Sequence, residues 1–64
     1  MIRVNGVERD HAAESVAQLL SRLGVEARGV AVALDGEVVR RSAWYATAVP
    51  DGSVIEIVTA VAGG

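Results

Sequence analysis

The sequence predicts an α+β fold in which a single helix packs across one face of a mixed sheet of four to five strands. Two observations support this prediction. Short apolar or alternating segments are separated by the turn dipeptides Asn5-Gly6 and Asp35-Gly36, as in β-hairpins. Only residues 15–23 carry apolar side chains at helical spacing. A chain of 64 residues has room for one domain, which we expect to span residues 1–59 and to be followed by a flexible tail, residues 60–64.

The N-terminal segment is typical of a β-hairpin. Ile2 and Val4 alternate with polar residues, and the Asn5-Gly6 pair tolerates the positive φ of a type I′ turn. The second strand is predicted over residues 7–11. His11 is the only histidine, and its acidic neighbour in sequence would point to the opposite face of that strand. We therefore interpret His11 as a solvated residue at the strand end, not as part of a catalytic pair.

The helix is predicted from Ser15 to Leu23. Ser15 can cap its N-terminus together with Gln18, three residues later, and Gly24 can end it in the left-handed conformation. Its apolar residues fall on one face, at the i, i+3, i+4 and i+7 positions: Val16, Leu19, Leu20 and Leu23. This face is expected to form part of the core.

The middle of the chain predicts a second hairpin. Residues 30–34 form a nearly all-apolar strand, and Asp35-Gly36 turns the chain into a shorter strand over residues 37–40. Residues 41–46 are predicted to be irregular or to form a single helical turn. Trp44 in this segment is expected to close the open end of the core and not to serve as an interface anchor, because the chain has no phenylalanine to fill that space.

The last strand is predicted over residues 54–59, after a turn over residues 49–53 that contains Pro-Asp-Gly. Ile55 and Ile57 should face the core, which leaves Val58 exposed on the other face. The helix is long enough to cross the sheet, so the first and last strands can pair side by side in the middle. This arrangement is the β-grasp.

Composition excludes several functional classes. The net charge is −2, and all six basic residues are scattered arginines, which argues against nucleic acid as a partner. The lack of long apolar stretches predicts a cytoplasmic protein without membrane contact. Because the chain has no cysteine and no lysine, it offers neither a thiolate nor a side-chain amine for covalent chemistry. We find no nucleophile with a base and an orienting group, so an enzyme is the least favoured class.

The sequence ends with Gly63-Gly64, which suggests a chemical role for the chain end. Glycine has no Cβ, so such a tail can thread a narrow channel and leave its carboxyl carbon open to attack. Residues 60–64 could extend roughly 16 Å, at about 3.3 Å per residue, into the active site of another protein. An apolar residue exposed beside the tail would give a partner a place to bind.

The chain resembles the ThiS family of small sulfur carrier proteins of thiamin biosynthesis, which are ubiquitin-like β-grasp proteins. The resemblance covers essentially all 64 residues, and it is strongest in four segments: residues 32–39, Arg41-Ser42 with Trp44, residues 51–57, and Val61-Ala62-Gly63-Gly64. The chain departs from the family at Arg40, where a proline is common.

The resemblance implies a carrier and not a catalyst. An activating enzyme of the ubiquitin-activating type, using ATP and Mg²⁺, would adenylate the Gly64 carboxylate. Sulfur from a persulfide-bearing protein would then convert it to a thiocarboxylate for thiazole synthase. The chain itself would bind no cofactor or metal. Together with the exposure predicted for Val58, this suggests that the residues bound by partner enzymes are Val58, Ala60, Val61, Ala62 and Gly63.

Three alternatives to this interpretation remain open at the level of sequence. The first is the small subunit of molybdopterin synthase, another carrier with a Gly-Gly end, although that family is usually longer and has phenylalanines near its tail. The second is a ubiquitin-like modifier that joins Gly64 to a lysine of a target protein. The third is a non-covalent interaction module in which the final glycines have no function.

Overall fold

The computed structural model describes residues 1–10, 14–26 and 28–59, and it shows a five-stranded mixed sheet with a helix on one face. The secondary-structure elements in chain order are β1 (Ile2–Val4), β2 (Val7–Arg9), β3 (Glu14–Ser15), α1 (Val16–Leu23), β4 (Val30–Leu34), β5 (Glu37–Val39), a 3₁₀ helix (Arg41–Ala43), β6 (Ala48–Val49) and β7 (Val54–Thr59). The main sheet has the strand order β2-β1-β7-β4-β5. The predicted α+β class and β-grasp arrangement are therefore confirmed.

The first and last strands of the main sheet lie side by side at its centre, as predicted. β1 and β7 are parallel, with Arg3 opposite Val54. On its other side β7 runs antiparallel to β4, from Leu34 opposite Ile55 to Val30 opposite Thr59. The last strand is thus paired on both sides, between one hairpin (β1 and β2) and the other (β4 and β5).

Both hairpins turn on two residues with positive φ, which confirms the two predicted turns. Asn5 and Gly6 have φ values of 50° and 83°, and Asp35 and Gly36 have φ values of 50° and 87°. Positive φ at both central positions is the geometry of a type I′ turn, which Asn-Gly and Asp-Gly favour.

The side chains of Asn5 and Asp35, the first residue of each turn, also bind the backbone of β7. Asn5 Nδ2 donates to the Ile57 carbonyl at 3.0 Å, and Asn5 Oδ1 accepts from the Ile57 amide at 2.8 Å. Asp35 Oδ1 accepts from the Val54 amide at 2.9 Å. Each turn residue therefore serves both its own hairpin and the strand between the hairpins.

Helix α1 begins and ends with the predicted capping residues. Ser15 Oγ accepts from the Gln18 amide at 3.2 Å. At the other end Gly24 adopts φ 73°, and its amide donates to the Ser21 carbonyl at 3.1 Å, while the next amide along the chain donates to the Leu20 carbonyl at 3.0 Å. This pair of bonds is the Schellman motif.

The core lies between α1 and the inward side of the sheet. Its buried apolar residues are Ile2, Val4, Val16, Leu19, Leu20, Val32, Trp44, Val49 and Ile55. Trp44 is only 5% exposed, and its indole Nε1 donates to the Val39 carbonyl at 2.9 Å. The predicted place of Trp44 in the core is confirmed.

Residues 47–49 differ from the prediction. Val49 was expected to begin a turn, but it is buried and pairs with Glu14, while Ala48 pairs with Ser15, so that β3 and β6 form a second, two-stranded sheet. The amide of Val16 also donates to the Thr47 carbonyl at 2.9 Å. Two-residue strands carry no periodicity, so these contacts between distant segments leave no pattern in the sequence.

Strand ends account for the smaller differences. β2 ends at Arg9 and β5 ends at Val39, each before its predicted end, and the prediction for His11 lies outside the described residues. Arg40 is the N-cap of the 3₁₀ helix, which explains why β5 stops there. Thr59 shares the face of Ile55 and Ile57 by alternation but is exposed, because it lies at the end of its strand.

The N-terminus is tied to the turn before β7. The Met1 ammonium group forms an ion pair with the Asp51 carboxylate, and the Gly52 amide donates to the Met1 carbonyl at 2.7 Å. The hydrogen bond and the charge of its partner lower the pKa of Asp51 and raise the pKa of the Met1 ammonium. Both groups are exposed, so the pair is screened by solvent.

Candidate functional site

The face of the main sheet opposite α1 carries exposed apolar residues near the end of β7. Val58 lies on this face and is 59% exposed, as predicted from the alternation of the last strand. Its neighbour on β4 is Ala31, and the next pair across β4 and β5 is Ala33 and Val38. We call these four residues, Ala31, Ala33, Val38 and Val58, the open-face patch. They border a shallow depression of about 110 Å³.

The strand register explains why these four side chains share a face. In β4 the alternate residues point inward, where Val32 is buried, so that the alanines point outward. In β5 Val39 packs against the core, which turns Val38 outward and leaves it 78% exposed. The patch is thus the solvent side of strands whose other side forms the core.

Sequence analysis found only Val58 of the four patch residues. Strand β4 is apolar throughout, so its sequence does not indicate which residues face solvent. The sequence did contain a signal for Val38, because it and Val39 are adjacent in a strand of three residues and must point to opposite faces. Once Val39 is assigned to the core, alternation places Val38 on the open face.

The two sides of the open face carry different charged residues. On the β1 and β2 side, Arg3 Nη2 lies 3.2 Å from Glu8 Oε2, with both side chains more than half exposed. On the other side, Glu56 is the charged residue that borders the apolar depression. An apolar area with one acidic residue at its edge suits a protein surface that offers apolar side chains and a basic group.

The other predicted site residues follow Val58 along the chain. Ala60, Val61, Ala62, Gly63 and Gly64 lie outside the described residues. Their roles therefore remain predictions. The described residues end with β7, whose last residue, Thr59, follows the exposed Val58.

Among residues 1–10, 14–26 and 28–59, no three histidine or acidic side chains come together as a possible metal site. In the same residues no helix has the length and apolar character needed to cross a membrane. The candidate site that we consider further is the open-face patch, which lies near Thr59, the last residue of β7.

The fold and this site define a small ubiquitin-like β-grasp domain whose apolar open-face patch adjoins the C-terminal end of its central strand. Sequence comparison identifies its family. Residues 2–64 match the ThiS family, so the chain belongs to that family. The resemblance predicted from the sequence is confirmed.

Two solved structures are similar to this chain over nearly its whole length. The crystal structure of the thiamine biosynthesis protein ThiS from Geobacter metallireducens is 42% identical, with a TM-score of 0.85, and the match covers 98% of this chain and 97% of that one. A solution NMR structure of a thiamine biosynthesis protein from the same organism is also 42% identical, with a TM-score of 0.77, and covers 98% of this chain and 86% of that one.

A curated relative is much longer than this chain. It is a thiazole synthase from Paramagnetospirillum magneticum (strain ATCC 700264 / AMB-1), 44% identical over 62 residues. The match covers 95% of this chain but only 19% of the relative, so this chain spans about a fifth of that protein. A domain similar to this one is thus part of a longer polypeptide in that organism.

Proposed function

We propose that this chain is the sulfur carrier of thiamin biosynthesis and that its Gly64 carboxylate is the group that carries sulfur. The observation that supports this most strongly is the family match, which runs through residue 64 and so includes both final glycines. The ThiS match also favours this role over that of a molybdopterin synthase subunit. The reaction would consume ATP and reduced sulfur, which is why we expect it in the cytoplasm.

The chemistry requires little from the carrier itself. A carboxylate is a poor acyl donor, so an activating enzyme would first join Gly64 to AMP as a mixed anhydride and release pyrophosphate from ATP. The terminal sulfur of a partner's persulfide would attack the acyl carbon and expel AMP. The product would be an acyl disulfide, and a second thiol would then attack its S–S bond, form a disulfide with the partner's cysteine and leave the thiocarboxylate on Gly64. The catalytic groups and Mg²⁺ would belong to the partners.

The open-face patch would hold the carrier on its partners. It lies at the end of β7 from which residues 60–64 continue, so an enzyme that binds the patch would have its active site within the tail's reach of roughly 16 Å. The similarity to part of a thiazole synthase supports thiazole synthase as one of these partners. The activating enzyme, which needs the same tail, would be the other.

Intact-protein mass spectrometry tests the proposed modification. The chain would be incubated with the activating enzyme, ATP and a sulfur source. Exchange of one carboxylate oxygen for sulfur adds about 16 mass units, and C-terminal alkylation separates it from oxidation of Met1, which adds a similar mass. A chain lacking Gly64 should gain no alkylatable sulfur. An unmodified Gly64 in the presence of active partners would contradict the proposal, and adducts to lysine would indicate a protein modifier.

A pair of matched variants tests the role of the patch. Val58→Glu places a charge in the patch, whereas Val54→Glu places the same charge on the same face of β7 at the strand's far end. Both valines are exposed, so neither substitution should unfold the domain. Val58→Glu should raise the KM for activation and Val54→Glu should leave it near the original value. Equal effects of the two variants would mean that the patch is not the docking surface.

A further inference from the structure

The side chain of Asn5 binds β7 close to the point where the strand ends. Its side-chain amide forms two hydrogen bonds with the backbone of Ile57, at 2.8 and 3.0 Å. Ile57 lies two residues before Thr59, the last residue of β7. The contact therefore joins the first hairpin of the chain to the root of the tail.

This side chain replaces a main-chain bond that the turn removes. In the parallel pair of β1 and β7, the backbone amide of Asn5 donates to the Ile55 carbonyl at 2.9 Å. A regular parallel ladder would continue with the Ile57 amide donating to the Asn5 carbonyl. Because Asn5 turns into the hairpin with φ 50°, its side-chain oxygen accepts that bond instead.

The side-chain bonds of Asn5 hold β7 on the side of β1. On the β4 side, pairing continues to the last residue, with Val30 opposite Thr59. On the β1 side, the paired residues end with Val4 opposite Ile55. Beyond that pair, the side-chain amide of Asn5 binds the backbone of Ile57. Without this amide, the C-terminal end of β7 would be held from one side only, as at a sheet edge.

We propose that Asn5 is a positioning residue for the tail, since it fixes the point from which residues 60–64 extend. This inference rests on the proposed function, in which a partner must receive those residues in its active site. Loss of the side-chain amide would let the end of β7 separate from the sheet more often. The tail would then start from a less defined point, and fewer encounters would deliver it to the partner.

The structure offers a matched pair of variants, Asn5→Gly and Asp35→Gly. Both residues begin a type I′ turn at φ 50°, and glycine accepts that conformation, so each change removes the side-chain bonds without backbone strain. Asp35 binds Val54, at the opposite end of β7 from the tail. The two variants therefore weaken the same strand at different ends.

Amide hydrogen exchange followed by NMR tests the structural part of this inference. Asn5→Gly should raise the exchange rate of the Val58 amide by about tenfold relative to the Asp35→Gly protein, since Val58 pairs with Ala31 of β4 in the loosened end of β7. Val58 does not bond to Asn5, so a faster rate would report motion of the strand end. Equal exchange rates in the two variants would overturn the inference.

Steady-state activation tests the functional part. With the activating enzyme and ATP, Asn5→Gly should raise KM several-fold over Asp35→Gly with kcat unchanged, because the chemistry belongs to the partner. Equal KM values would show that Asn5 has no role in presenting the tail. If even the unaltered chain gains no thiocarboxylate, the proposed function fails, while the exchange comparison still decides whether Asn5 fixes the end of β7.

Discussion

Replacement of Trp44 by phenylalanine tests whether this residue belongs to the core. The indole is 95% buried and donates to the Val39 carbonyl, so Trp44→Phe leaves that acceptor without its partner and opens a small cavity. We expect a loss of about 2–3 kcal/mol in the free energy of unfolding. A domain of this size has a total of about 3–10 kcal/mol, so the loss is a large fraction.

Thermal unfolding followed by far-UV circular dichroism measures this loss. At 4–8 °C per kcal/mol, the midpoint should fall by roughly 8–24 °C. Tyr45 is the adjacent aromatic residue and is 75% exposed, so Tyr45→Phe should change stability by less than about 0.5 kcal/mol. A Trp44→Phe midpoint equal to that of the unaltered protein would refute the assignment to the core and would favour an interface role for the indole.

Three further substitutions test other contacts. Ser15→Ala should cost about 1 kcal/mol in thermal or urea unfolding because it removes the helix cap, whereas Ser21→Ala on the exposed side of the same helix should not. Gly24→Ala should cost about 1 kcal/mol through its positive φ alone, since no atom lies within 4 Å of the added Cβ. Asp51→Asn should lower stability most between the ordinary pKa values of the paired groups, 3.8 for Asp51 and 8.0 for the Met1 ammonium. The difference should shrink as pH falls through the lowered pKa of Asp51 or rises through the raised pKa of the ammonium, and a pH-independent difference would contradict the pairing.

Local signals in the sequence were sufficient to predict the helix and the strands of the main sheet. Asn5-Gly6 and Asp35-Gly36 each specify a turn through their tolerance of positive φ, and Ser15 and Gly24 mark the ends of the helix. Alternation also placed Val58 on the open face. These features depend on a few neighbouring residues, so they can be recognised without the rest of the structure.

Features that depend on the pairing of distant segments could not be predicted. The bridge between Glu14 and Val49 involves two strands of two residues, which are too short to show alternation. Ala31 and Ala33 belong to a strand that is apolar on both faces, so their place on the open face emerges only from the register with β5 and β7. The second role of Asn5 is likewise hidden, because the turn alone already explains an asparagine at that position.

The central position of β7 also governs how the chain folds. Each hairpin can close locally across a two-residue turn, but the sheet becomes continuous only when β7 enters between the hairpins. Its parallel partner β1 lies near the opposite end of the sequence, so this step carries the entropy cost of closing a loop of nearly the whole chain. We therefore expect cooperative folding that is slow for a domain of this length, with insertion of the last strand as the slow step.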